Sequence, residues 1–108
     1  MDEQDFKRKA DQALQRLFDA LGEAGEEYDF DSDFNAGALS VEFEDPPARF
    51  VVSPNSPVRQ IWVSANVQSY KLDWNEEEQD FVLGSTGQTL ERLMETAIGQ
   101  HLNQTVHL

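Results

Sequence analysis

The chain has no cysteine, which excludes disulfides, thiolate nucleophiles, cysteine zinc sites and iron–sulfur clusters held by its own thiolates. Histidine is almost as scarce. His101 and His107 both fall in the last eight residues, too few and too terminal for an ordinary transition-metal site. No apolar run approaches the ~20 residues needed to span a bilayer. The opening MDEQDFKRKAD has neither the apolar region of a signal peptide nor the acid-poor, Arg-rich character of a transit peptide. A soluble intracellular protein is therefore expected. Basic residues are few as well: 8 Lys+Arg against 21 Asp+Glu give a net charge of −13. A field of that sign repels phosphate backbones, so no nucleic-acid or anionic-membrane partner is expected, whereas metal cations and basic protein surfaces are attracted.

What remains is enough for one small core. The 108 residues are 39% hydrophobic and 10% aromatic, too apolar for wholesale disorder and too short for two independent cores. A single domain over 1–108 is expected. Phe6, Ala10, Ala13, Leu14, Leu17, Phe18 and Leu21 recur every three or four residues, which predicts a helix over 2–22 with Asp2 as its N-cap and Gly22 as its stop. From Tyr28 the period becomes two. Tyr28, Phe30, Ser32 and Phe34 alternate with Asp29, Asp31 and Asp33, then Asn35-Ala36-Gly37 turns the chain into Leu39, Val41 and Phe43. Pro46-Pro47 ends that strand. Further strands are predicted at Arg49–Val52, Val58–Ser64, Ser69–Trp74 and Asp80–Leu83. Ser85 and Gln88 offer a capping box before a second apolar stripe, Leu90, Leu93, Met94, Ala97, Ile98 and Leu102. The expected fold is α+β: a two-layer sandwich with two terminal helices on one face of an antiparallel sheet of five to six strands.

Two constellations stand out against this frame. Between Leu17 and Ala48 lie ten carboxylates and no Lys or Arg: Asp19, Glu23, Glu26, Glu27, Asp29, Asp31, Asp33, Glu42, Glu44 and Asp45. Residues 1–16 are balanced, four acids against four bases, so the excess is local. On a strand Asp29, Asp31 and Asp33 would project from one face about 6.5–7 Å apart. Like charges that close repel, and hard cations or a partner's arginines relieve them. The plainer alternative is a solvated polar face. An EF-hand fails, because Phe34 occupies the glycine position and Ser40 the closing glutamate position.

The second constellation is Gln60-Ile61-Trp62-Val63-Ser64. If Ile61 and Val63 face the core, Trp62 lies on the open face of the sheet with Gln60 and Ser64, where an exposed Trp is a candidate interface anchor. The alternative places Trp62 in the core. Arg59 and Lys71 sit on or beside the same strands and could make charged contacts with a partner. Catalytic templates are missing: Gly84 and Gly87 do not form a phosphate loop, and neither histidine has a Ser or Asp partner at a recognisable spacing. His101 and His107 read as a helix end and a tail rather than as ligands.

Over nearly its whole length the chain resembles the frataxin family, close to the bacterial CyaY members. The resemblance rests on Phe6-x-x-x-Ala10-Asp11, the run Asp29-Phe30-Asp31-Ser32-Asp33-Phe34-Asn35-Ala36-Gly37, and Leu39-Ser40-Val41-Glu42-Phe43. It continues through Pro57-Val58-Arg59-Gln60-Ile61-Trp62-Val63-Ser64, Tyr70-Lys71-Leu72-Asp73-Trp74 and Gly87-Gln88-Thr89-Leu90. The chain departs from the family at Ser53-Pro54, where an asparagine and a basic residue are usual, at Ala36-Gly37 instead of Gly-Gly, and at Phe81, where Trp is frequent. It also carries Lys7, Arg8, Lys9 and Arg16 on the first helix.

The resemblance implies a non-enzymatic accessory protein of iron–sulfur cluster assembly that binds ferrous or ferric iron weakly on an acidic ridge. Carried over, that ridge is Asp19, Glu23, Glu26, Glu27, Asp29, Asp31 and Asp33. The implied partners are the cysteine desulfurase and the iron–sulfur scaffold protein, met by Gln60, Trp62 and Lys71, with Arg59 adjacent. A monomer is expected, with oligomers induced by iron. The implied compartment is the bacterial cytoplasm, or the mitochondrial matrix for a processed eukaryotic form. Two other functions stay open: a ferroxidase or iron-storage enzyme, and an acidic decoy that captures basic proteins. The first would consume oxygen catalytically, and the second would be indifferent to Trp62.

Overall fold

In the computed structural model, which describes residues 1–108, α1 (Glu3–Tyr28) is followed by β1 (Asp31–Asn35), β2 (Ala38–Glu44) and β3 (Pro47–Asn55). A 3₁₀ turn (Ser56–Val58) then leads to β4 (Gln60–Ala65), β5 (Gln68–Asn75), β6 (Asp80–Leu83) and α2 (Leu90–Leu102). The six strands form one antiparallel meander in chain order, β1 and β6 being its edges. Both helices cover the face carrying Leu39, Val41, Phe50, Val52, Ile61, Val63, Leu72 and Phe81, all buried in one apolar cluster with the helical stripes. This is the expected α+β sandwich with the larger strand number. No helix is long and apolar enough to cross a membrane.

The first helix outruns its expected end. Neither Gly22 nor Gly25 stops it, because the apolar stripe continues through Leu21 and Ala24, both buried, to the half-buried Tyr28. Gly25 serves another purpose: a Cβ there would lie 2.5 Å from the Phe30 carbonyl oxygen, so the glycine allows the following chain to fold back against the helix. Asp2 caps the N-terminus as expected, accepting the Asp5 amide at 2.8 Å. At the other end Asp29 is the C-cap, left-handed at φ 62°, its amide bonded to the Gly25 carbonyl. Asp29 is therefore not a strand residue, and β1 starts at Asp31.

The other corrections follow from turns. β3 runs from Pro47 to Asn55, beyond the expected Arg49–Val52. Pro47 is its first residue and Pro54 lies next to its end, positions where a missing N–H disturbs the ladder least. The 3₁₀ turn and a left-handed Arg59 (φ 55°) delay β4 to Gln60. β5 extends the expected 69–74 by one residue each way. Ser85 is no helix cap. Thr89 caps α2 with its hydroxyl on the Arg92 amide, while the Leu83 amide bonds the Gln88 carbonyl and Val82 bridges Thr89, so that turn covers part of the β6 edge.

Aromatic contacts fix where each half of α1 lies. Phe6 meets Phe81 of β6 edge-on at 5.8 Å, and Phe18 meets Phe34 of β1 at the same distance. The balanced half of the helix thus packs beside β6. The tail also docks: Val106 is buried, the His107 amide reaches the Tyr28 hydroxyl, and the Leu108 amide donates to Glu95. His101 packs on Phe43 and donates from Nε2 to the Pro46 carbonyl at 2.7 Å, a helix-end contact as expected.

Candidate functional site: an acidic edge and an open sheet face

Asp19, Glu23, Glu26 and Glu27 are all exposed on the C-terminal half of α1. Asp19 and Glu23, like Glu23 and Glu27, stand four residues apart, where like charges repel. Glu26 and Glu27 occupy the last turn, which carries no basic residue, so they oppose the negative end of the helix dipole. Asp29 caps that turn. Asp31 and Asp33 then point outward from the edge strand β1. The acidic edge is accordingly built by three elements in succession: a helix end, a left-handed cap and an edge strand.

The expected row of three strand aspartates is reduced to two by the position of Asp29. Glu42, which the hairpin pattern places beside these aspartates on the neighbouring strand, adds to them. It is the direct cross-strand partner of Asp31, the pairing that is unfavourable for like charges. Its relief is slight, an ion pair to Arg49 at 3.8 Å with both side chains about two-thirds exposed. Asp19 accepts a hydrogen bond from Gln15 at 3.0 Å. No three Asp, Glu or His side chains gather closely enough to enclose a metal ion. The carboxylates form a field, arranged singly and in pairs, and not a chelating cage.

The open face of the sheet carries the second feature. Trp62 lies there with 38% of its surface exposed, and Ile61 and Val63 are buried on the opposite side, as strand parity predicts. Its indole Nε1 donates to Gln60 Oε1 at 3.0 Å, and Gln60 Nε2 donates to Asp73 at 3.1 Å. Lys71, its cross-strand partner, places Nζ 5.1 Å from the ring centroid. Gln60, Asp73 and Lys71 thereby hold the ring in place over a shallow groove of about 380 Å³, lined by Val51, Ser53, Trp62, Ser64, Ser69 and Lys71 among others. Asp73 was legible as a neighbour, since it shares the outward parity of Lys71. Arg59 is placed differently from its neighbours. It is half-buried, its Nη1 donates to the Ser56 carbonyl in the turn before β4, and its Nε has no partner.

Residues 1–104 match the family model of the frataxin-like domain. The chain belongs to the frataxin-like family. Its fold is similar to that of the frataxin from Psychromonas ingrahamii, a protein of the CyaY family. The TM-score is 0.83 at 24% sequence identity, covering 98% of this chain and 96% of that one. At that identity the likeness concerns the fold. Within this frataxin-like domain the acidic edge and the Trp62 face are separate surfaces, one along α1 and β1, the other on the uncovered side of β3–β5.

Proposed function

We propose that this frataxin-like protein binds ferrous or ferric iron weakly on its acidic edge and docks on the cysteine desulfurase–scaffold complex, where it modulates sulfur transfer. Membership of the family supports a general role in iron–sulfur cluster assembly. The observation that carries the finer reading is the placement of charge where the fold alone disfavours it. Glu26 and Glu27 oppose the helix dipole, Asp31 faces Glu42, and no base lies between residues 18 and 47. A hard cation or a partner's arginines relieve each of these repulsions. Carboxylates set singly and in pairs leave most of an iron ion's coordination to water, which suits weak, exchangeable binding and not storage. Asp19, Glu23, Glu26, Glu27, Asp29, Asp31 and Asp33 are assigned to iron and the desulfurase. Gln60, Trp62 and Lys71 are assigned to the scaffold, with Trp62 as the anchor. The protein acts as an accessory factor and not as an enzyme, as a monomer that iron drives to oligomerise, in the bacterial cytoplasm.

An anaerobic amide NMR titration with ferrous iron, followed by a purified cysteine desulfurase, tests this. Shifts confined to Asp19–Asp33 with iron, overlapping those caused by the desulfurase, are expected. Asp29, Asp31 and Asp33 changed together to Asn should weaken them while the fold persists. Absence of any response along the edge to either ligand would remove the iron and desulfurase assignments.

A further inference from the structure

The acid excess has a counterpart that the proposed function does not use. Of the chain's eight bases, Arg8, Lys9 and Arg16 line one cleft of about 490 Å³ with Gln12, Trp74 and Gln79. Arg8, Gln12 and Arg16 follow one another at four-residue spacing on one face of α1. Arg8 pairs with Asp5 at 2.8 Å and Arg16 with Asp80 at 3.7 Å. A guanidinium has five N–H donors, so one carboxylate leaves most of them unused. Lys9 pairs with no carboxylate; its Nζ lies 5.0 Å from the Trp74 ring centroid. Trp74 Nε1 is shut off from solvent without an acceptor. One wall of the cleft therefore carries an ammonium without a counter-charge, resting on an indole ring whose own N–H is closed to solvent.

We infer that this cleft binds a small multivalent oxyanion, a di- or triphosphate or a polycarboxylate. Arg8 and Arg16 are separated by about 12 Å along the helix axis, too far for one phosphate but suited to a ligand with two or three anionic groups. Lys9 follows Arg8 directly, about 1.5 Å further along the axis, and adds its charge at the Arg8 end of the cleft. The acidic edge does not forbid this. Asp19 is about 15 Å further along the helix than Lys9 but only about 4.5 Å beyond Arg16, inside the ~8 Å over which charges act at physiological salt, so it opposes the ligand at the Arg16 end and not at the Arg8–Lys9 end. A nucleic acid would extend into that repulsive field, whereas a small ligand is confined to the cleft.

The test is an amide and indole NMR titration of the full chain with sodium pyrophosphate, sodium citrate and, at matched ionic strength, sodium chloride. A saturable shift of the Trp74 indole and of residues 8–16, with the Trp62 indole unmoved, is expected from one or both polyanions. A response to pyrophosphate alone identifies phosphate as the recognised group; a response to both identifies multivalent charge. Lys9→Gln should weaken binding about tenfold, the loss of one hydrogen bond to a charged group, and Lys9→Arg should retain it. Shifts that follow chloride, or that survive Lys9→Gln unchanged, overturn the inference.

Discussion

Removing charge from the acidic edge should make the protein more stable. Consider the double change Glu27→Gln and Asp31→Asn. Glu27 lies in the last turn of α1 with no base nearby, and a carboxylate there opposes the helix dipole by about 0.3–1 kcal/mol. Its repulsion from Glu23, four residues back, adds about 0.2–0.5 kcal/mol. Asp31 directly faces Glu42, a cross-strand pair of like charge worth about 0.2–1 kcal/mol. Glu42 is partly occupied by Arg49, and all these groups are solvated, so the lower part of each range applies. The expected gain is about 1 kcal/mol at low ionic strength, or a rise in Tm of about 4–8 °C for a domain of this size. Thermal and urea unfolding followed by circular dichroism would measure it. At 1 M salt the screening length falls to about 3 Å, and most of the gain should vanish because the parent protein is then relieved by the salt. Iron binding to the double variant should weaken under the same conditions that stabilise it. A loss of stability would show that these carboxylates hold the fold together, and a gain unchanged at high salt would show that repulsion is not its source.

The two helix glycines should respond in opposite directions. Gly22→Ala meets nothing within 4 Å and should stabilise by up to about 1 kcal/mol. Gly25→Ala drives its Cβ into the Phe30 carbonyl and should destabilise by about 1–3 kcal/mol, both read from urea midpoints. Val67, fully exposed at φ 63° in the β4–β5 turn, has a β-branched side chain in a left-handed conformation. Val67→Gly should therefore raise stability by about 1–2 kcal/mol in the same assay. Trp62→Ala should shift the unfolding midpoint little, because an exposed side chain contributes about 0.5 kcal/mol or less. The same change should abolish binding to the scaffold in calorimetric titration; unaltered binding would remove Trp62 from the interface and favour an acidic decoy.

The parts of this fold that were legible are those written in hydrophobic period. Alternation placed Ile61 and Val63 inside and left Trp62 outside, and the two helical stripes located both helices. The misplaced boundaries lie where two local rules competed. Gly22 and Gly25 are helix breakers by propensity, yet Leu21, Ala24 and Tyr28 continue the stripe, and burial of that stripe outweighs two glycines at about 1 kcal/mol each. The capping box at Ser85 was a sound local pattern, but pairing of Thr89 with Val82 holds that stretch against the sheet and passes the cap to Thr89. The half-buried placement of Arg59 depends on a left-handed turn that no period signals. The charged edge was visible in composition, whereas the direct opposition of Asp31 and Glu42 required the register of the first hairpin.

That register links stability to function. An edge strand with unpaired backbone groups invites pairing with a second chain, and charged side chains are a common defence. Asp31 and Asp33 provide this on β1, while the turn bridged through Val82 and Thr89 partly covers the opposite edge at β6. One or two charges would suffice for such a defence. The acidic run instead extends back through Asp29, Glu27, Glu26 and Glu23 to Asp19, onto helical surface that has no edge to protect. The excess beyond what the edge needs is the part that solubility of one strand does not explain. Within it Glu26 and Glu27 are placed against the helix dipole. A surface that is unfavourable in the free protein binds cations and arginines with that repulsion as part of the driving force, so the iron binding and partner docking proposed above would draw on the same repulsion. The two ligands should therefore compete: iron bound on the edge should lower the affinity for an arginine-bearing partner, and raising the salt concentration should weaken both together.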